Sequence, residues 1–168
     1  MLKKKLNEFN EIFDKFNKQW AIVTAGDRKL GVNAMTVSWG GIGVLWNKPV
    51  AYIFVRHNRH TFNFVENSDS VSISFFDEKY RDELTKFGRV SGKDVDKFKD
   101  SPFHLTLDVD MNEYYIAEAS QVLKCKKIYS VDLPKDDMPL DVLNNSYKDE
   151  PIHRMYVLEI KQYLTNEE

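Results

Sequence analysis

Short β-type runs recur along the chain with no helix set regularly between them. "WAIVTA" (20–25), "GVNAMTVSWGGIG" (31–43), "VAYIFVR" (50–56, entered through Pro49) and "SVSISFF" (70–76) follow one another through polar connections. Runs of the same kind resume at "FHLTLDV", "YYIAEAS", "QVLKCKKIYSVDL" and "HRMYVLEIKQYL". Parallel strands need long crossovers, usually helices, so the lack of strict strand–helix alternation argues against a doubly wound sheet. It points to a mainly β fold, a closed or nearly closed antiparallel barrel with helices at its periphery. "GDRK" (26–29) reads as the turn of a hairpin between the first two runs. "HTFNFVENS" (60–68) reads as a helix, and "DEKYRDELTKFG" (77–88) as a helix capped by Asp77 and stopped by Gly88.

Residues 1–19 carry a different period. Leu2, Leu6, Phe9, Phe13 and Phe16 recur at steps of three and four, with Ile12 beside them. This predicts an N-terminal amphipathic helix whose apolar stripe lies on the domain or on a partner subunit. No internal repeat, low-complexity tract or linker interrupts the remainder, so residues 1–168 are expected to form one domain.

Composition removes several classes of function. A net charge of −2 gives no overall attraction to nucleic acid or to an anionic membrane. Cys125 is the only cysteine, which excludes a disulfide or a cysteine metal cluster within one chain, and its place in an alternating strand suits a small core residue. "MLKKKLNEFNEIF" lacks a continuous apolar core, and no run approaches the ~20 apolar residues of a membrane span. The expectation is a soluble, cytoplasmic protein.

The run at 31–43 places Asn33, Thr36, Ser38 and three glycines where a core-filling strand would carry Val, Ile and Phe. Strand periodicity puts Asn33, Met35 and Val37 on one face, and Ala34, Thr36 and Ser38 on the other. Two readings stand: a surface that hydrogen-bonds a flat, heteroatom-rich ligand, or a solvated strand ending in a loose loop. Gly40, Gly41 and Gly43 allow a close backbone approach or a sharp bend. In "RHNRHTF" (56–62), Arg56, Arg59 and Thr61 have the chemistry to clamp a phosphate, because guanidinium forks match its oxygens and a helix N-terminus adds N–H donors. A basic turn in solvent is the alternative. His57 and His60 have no acidic or cysteine companion nearby, so no metal site is expected. In "GRVSGKDVDKF" (88–98), a Ser-Gly-Lys turn is able to shape a pocket wall, with Asp94, Asp96 and Lys97 pairing among themselves. The P-loop spacing is absent, and no Ser/His/Asp set supports hydrolysis.

Together these stretches carry a family resemblance. "NAMTVSW", the Arg and Thr of "RHNRHTF", "SGKDVDKF", "IAEASQVLKCK" and "HRMYVLEI" occur in the order found in the flavin reductase-like family, which includes flavoredoxins and short NAD(P)H:flavin oxidoreductases. The resemblance runs from about Trp20 to about Ile160. It implies an FMN-binding split β-barrel, usually a homodimer, with the flavin in a groove near the subunit boundary. By resemblance, Asn33, Met35, Thr36, Ser38 and Trp39 face the flavin. Arg56, Arg59 and Thr61 hold the phosphate, and Ser91, Gly92 and Lys93 close another wall. Many relatives carry Cys-Gly where this chain has Phe87-Gly88, so any thiol role there is absent.

The function implied is an FMN-dependent oxidoreductase that moves hydride from NAD(P)H to flavin and on to a flavin, ferric or protein acceptor. No side chain is expected to be catalytic in its own right, since the flavin carries the chemistry. Two alternatives stand beside it: a flavoredoxin-type electron carrier with tightly held FMN and little NAD(P)H turnover, and a barrel that binds ligands without redox chemistry.

Overall fold

The computed structural model describes residues 1–5 and 11–166. Its main sheet runs in the order β3 (Gly31–Val37), β2 (Ala21–Asp27), β6 (Ser70–Phe75), β9 (Gln121–Asp132), β10 (His153–Thr165), β5 (Lys48–Arg56) and β4 (Gly40–Leu45). All of these pairings are antiparallel. The two end strands, β3 and β4, are consecutive in the chain, joined only through Ser38 and Trp39. A sheet whose ends are tied by so short a link must curl round on itself. Register shifts at Val157/Leu158 and Ile160/Gln162 between β10 and β9 add to the bend. The result is a mainly β split barrel, open along the β3–β4 seam. β7 (Leu105–Asp108) and β8 (Glu113–Ile116) form a separate small ladder.

Both hairpins follow from local sequence. β2 and β3 pair from Ala21↔Val37 to Asp27↔Gly31, around the predicted turn. β4 and β5 are joined by Trp46 and Asn47, both at positive φ (51° and 58°), the backbone shape that a two-residue hairpin turn requires. The glycine run thus forms a full strand rather than a loose loop. At Gly40 the close approach is real: a Cβ there would lie 2.4 Å from the Phe16 ring.

Two apolar layers hold the fold. Val23, Val37, Ile53, Val55, Ile73, Leu123, Tyr156 and Leu158 fill the barrel, and Phe16 packs edge-on against Phe75. On the outer face of the sheet, Ile22, Ala34 and Val122 pack with Leu84, Phe87 and Phe103. Leu84 and Phe87 belong to α3 (Arg81–Arg89), and α2 (His60–Asn67) leads out of β5.

Three expectations are corrected. The N-terminal helix over 1–19 does not form as such: Leu2–Lys4 is a strand, β1, paired with Tyr163–Thr165. β10 outruns β5, which ends its pairing at Glu159, and the leftover edge takes β1. Among the described residues, helical structure starts at α1 (Ile12–Asp14) and continues as a π turn over Lys15–Gln19. Phe16 is buried while Phe13 is 90% exposed, because residues three apart with a widened turn between them no longer share a face. Leu6 and Phe9 lie outside the described residues. The second correction concerns 77–88. Asp77 makes no side-chain cap; a 3-10 turn (Glu78–Tyr80) precedes α3. Gly88 does not stop α3 but lies inside it, where a Cβ would sit 3.4 Å from Thr36. Third, Lys97 does not pair with Asp94 or Asp96; its partners are backbone carbonyls, described below.

Candidate functional site

One groove runs along β3, and every predicted site residue lies on it. Its first part is a cavity of about 200 Å³ at the open seam, lined by Met35, Thr36, Val37, Ser38, Trp39, Phe54, Arg56, Arg59 and His153. Met35 and Arg59 also line an adjoining recess of about 60 Å³ with Thr61, Ser91, Gly92 and Lys97. Gly92 and Lys97 lead on to a wider depression that includes Asn33 and Lys93.

The faces of β3 follow the predicted alternation, and the Thr36 hydroxyl is engaged within the fold. Thr36 Oγ1 donates to Leu84 O of α3 at 2.5 Å, so this hydroxyl holds a helix. Beside it runs the backbone edge of β3 that faces away from β2, at the end of the sheet. Lys97 Nζ donates to Ala34 O and to Phe87 O, each at 2.8 Å. Ala34 O therefore points away from β2, and by the alternation of an antiparallel ladder the backbone of Thr36 shares that edge. Asn33 Nδ2 donates to Thr61 Oγ1 at 2.9 Å, which ties β3 to the start of α2. A Cβ on Gly92 would lie 2.2 Å from Asn33 Oδ1, so only glycine lets the 91–93 turn close onto β3. Ser91 folds that turn by accepting from Lys93 N through its hydroxyl and from Asp94 N through its carbonyl.

The two arginines have separate fates. Arg56, at the end of β5, donates to Ser146 O at 3.0 Å, and to Pro151 O and Glu150 Oε2 at 3.3 Å; its guanidinium lies over the Tyr147 ring. Arg59 is exposed and its side chain makes no hydrogen bond or ion pair among the described residues. It precedes α2, whose first residues, His60 and Thr61, line the same recess. His57 and His60 diverge: His57 Nε2 meets Asp132 Oδ1 at 2.8 Å, and the His60 ring packs on Phe64.

Lys97, His153 and Tyr147 were not marked as site residues by sequence reasoning. Burial lowers the Lys97 ammonium to about 8, and the Arg59 cation adds to this. Burial lowers His153 to about 4, helped by Arg56, Arg59 and His57. His153 opens β10 directly opposite Arg56, and its ring stands 5.0 Å from that of Trp39. No local pattern announces it. Tyr147 had a signal: a lone aromatic in the polar stretch "NNSYKDE" marks an anchor, and it is buried.

A groove with a cation unpaired among the described residues, a helix N-terminus and a hydroxyl-bearing turn at one end, and Trp39, Phe54 and Met35 at the other, has the donor set for a phosphate-bearing planar ligand. The family profile described as flavin reductase like domain matches residues 13–168. The chain belongs to the flavin reductase-like family. Among solved structures, a flavoredoxin from Methanosarcina acetivorans is 19% identical, over 99% of this chain and 76% of that one, with a TM-score of 0.69. An FMN-binding domain of a flavin reductase-like enzyme from Shewanella baltica is 16% identical, over 96% and 75%, with a TM-score of 0.68. A Streptomyces globisporus NADH:FAD oxidoreductase is 16% identical, over 91% and 78%, with a TM-score of 0.67. At these identities the likeness establishes the shared fold. A search of curated proteins finds no match. Among the described residues of this flavin reductase-like chain, no helix is long and apolar enough to cross a membrane.

Proposed function

We propose that this flavin reductase-like protein binds FMN in the β3 groove and works as an oxidoreductase drawing on NAD(P)H. The observation that carries the reading is the exposed Arg59, without a side-chain partner among the described residues, beside the α2 N-terminus and in one groove with Trp39 and the outer backbone edge of β3. Bound FMN would supply the two-electron redox chemistry. Arg59, the first N–H groups of α2 and the Ser91–Lys93 turn would hold the phosphate. Thr61 Oγ1 already accepts from Asn33, which leaves its proton for an acceptor in the groove. Met35 and Trp39 would flank the ring system, and the Thr36 backbone would meet its polar edge. Lys97 keeps that edge in place through the Ala34 carbonyl.

The same site suits a flavoredoxin-type carrier, and one experiment separates the two. The purified protein is titrated with FMN and then mixed anaerobically with NADH or NADPH. Loss of visible flavin absorbance at a catalytic rate supports the reductase; tight FMN with negligible bleaching supports the carrier; no FMN binding sinks both.

We also infer a homodimer. A depression of about 690 Å³ adjoins the groove through Ser38, Trp39 and Phe54 and continues over Phe13, Ile42 and Leu133. Phe13 and Trp39, 90% and 46% exposed, form an apolar surface that a second subunit would cover. Light scattering of wild type and Phe13→Glu tests this; a monomeric wild type with FMN bound would refute it.

A further inference from the structure

Tyr147 reaches the groove wall from behind. It lies in the π turn Leu143–Tyr147, within the β9–β10 connection, and is 3% exposed. Lys135 Nζ donates to its carbonyl at 2.6 Å, and Arg56 holds the carbonyls of Ser146 and Pro151 on either side. Its hydroxyl lies 2.7 Å from His153 Nδ1, and among the described residues this is its one hydrogen bond.

A phenol and a neutral imidazole can share that contact in two ways. If Nδ1 carried the ring proton, it would donate to the phenol oxygen, and the phenol proton would be buried without an acceptor. If Tyr147 donates to Nδ1, the ring proton goes to Nε2, which is not a buried orphan but opens on the groove, and inside the wall only a phenol lone pair goes unused. An orphaned buried donor costs more than a spare lone pair on an oxygen. Arg56, with its guanidinium 5.3 Å from the Tyr147 ring centroid, favours the phenol as donor. A doubly protonated imidazole would face Arg56, Arg59 and His57 from a buried position, so His153 is neutral around pH 7. The proton then sits on Nε2, which makes no hydrogen bond among the described residues. His153 lines the cavity beside Trp39.

We propose that Tyr147 is a positioning residue that fixes His153 as the neutral Nε2–H tautomer, so that the groove presents an N–H donor to a carbonyl oxygen of a planar ring bound beside Trp39. The identity of that ring rests on the flavin reading; the tautomer is a property of the protein alone.

The test is long-range proton–nitrogen correlation NMR of the full chain labelled with ¹⁵N-histidine, without flavin, near pH 7. His153 is expected to show an unprotonated Nδ1 and a protonated Nε2. Tyr147→Phe keeps the ring under Arg56; it should give mixed tautomers and raise the His153 pKa by roughly half to one unit, since a bond to the neutral form is lost. A protonated Nδ1 in wild type, or Tyr147→Phe matching wild type in tautomer and pKa, overturns the proposal. The wild-type measurement decides the tautomer even if the variant fails to fold. FMN is then added: the His153 Nε2–H resonance should move downfield on binding. FMN binding that leaves it unmoved overturns the donor role. Failure to bind FMN overturns the flavin reading, while the tautomer is decided on the flavin-free protein.

Discussion

The end of β5 and the start of α2 lie three residues apart and each presents an arginine to the same cavity, yet their surroundings differ. Arg56 is half-buried and heavily engaged: two carbonyls and Glu150 take three of its five N–H donors, and Tyr147 lies under its plane. Arg59 stands exposed, with no side-chain partner among the described residues. A guanidinium with most of its donors engaged holds architecture first, and one with none engaged is available to an anion. By rigidity alone, a strand end would favour Arg56 over Arg59 for the phosphate. The structure shows what that rigidity is made from, namely bonds that occupy the group.

The largest expected effect tests the architectural half. Arg56→Ala removes charged donors from the Ser146 and Pro151 carbonyls and frees the β9–β10 connection. A loss of about 3 kcal/mol follows if both hydrogen bonds fail, read as a shift in urea midpoint at unchanged slope. FMN and riboflavin should weaken together in this variant. A stable Arg56→Ala protein that loses only FMN would reverse the assignment of the two arginines.

Arg59→Ala tests the other half. Its stability should stay within about 0.5 kcal/mol of wild type, as for an exposed residue without contacts. FMN affinity should fall by about 1.5–3 kcal/mol, roughly ten- to a hundred-fold in Kd, with riboflavin unaffected. Equal losses for both ligands in isothermal titration would remove Arg59 from a phosphate site.

A smaller effect concerns the clamp beneath Arg59. Lys97 is lowered to about 8 in the folded protein against an ordinary value of 10.5. Between those values the unfolded chain binds more protons than the native one, so this group makes stability rise with pH across that window. Lys97→Met should lose this rise relative to wild type while losing the hydrogen bonds to Ala34 and Phe87 at every pH. Parallel stability curves for the two proteins from pH 8 to 10 would show that the ammonium is not desolvated as described.

The smallest effect compares the arginines through a shared neighbour. His153 is held at about 4 by burial first, then by Arg56, then by Arg59. Its neutral form contributes stability that is complete above 6.5 and is lost as pH falls towards 4. Arg56→Ala should raise the His153 pKa more than Arg59→Ala does, measured by NMR titration. The opposite order would place Arg59 nearer the imidazole than Arg56.

Much of the fold is legible in the residues themselves. The alternation of "SVSISFF", the β2–β3 turn and the antiparallel barrel follow from period and turn chemistry, which act over a few neighbours. The strand that lines the candidate groove was legible too, because Asn33, Thr36 and Ser38 are out of place in a strand built only for packing. What those groups do there was not. Thr36 uses its hydroxyl on α3, forty-eight positions away in the chain, and Gly88 serves that contact rather than ending a helix. Leu2 belongs to a strand because the end of β10 leaves an unpaired edge, a fact about the far terminus of the chain. Local sequence determined which residues form strands and where polar groups collect. Only the tertiary structure decided which polar groups are already used: Arg56 meets the Ser146 carbonyl ninety positions on and Lys97 meets the Ala34 carbonyl sixty-three positions back, and hydrogen-bonding capacity is allotted when such elements meet.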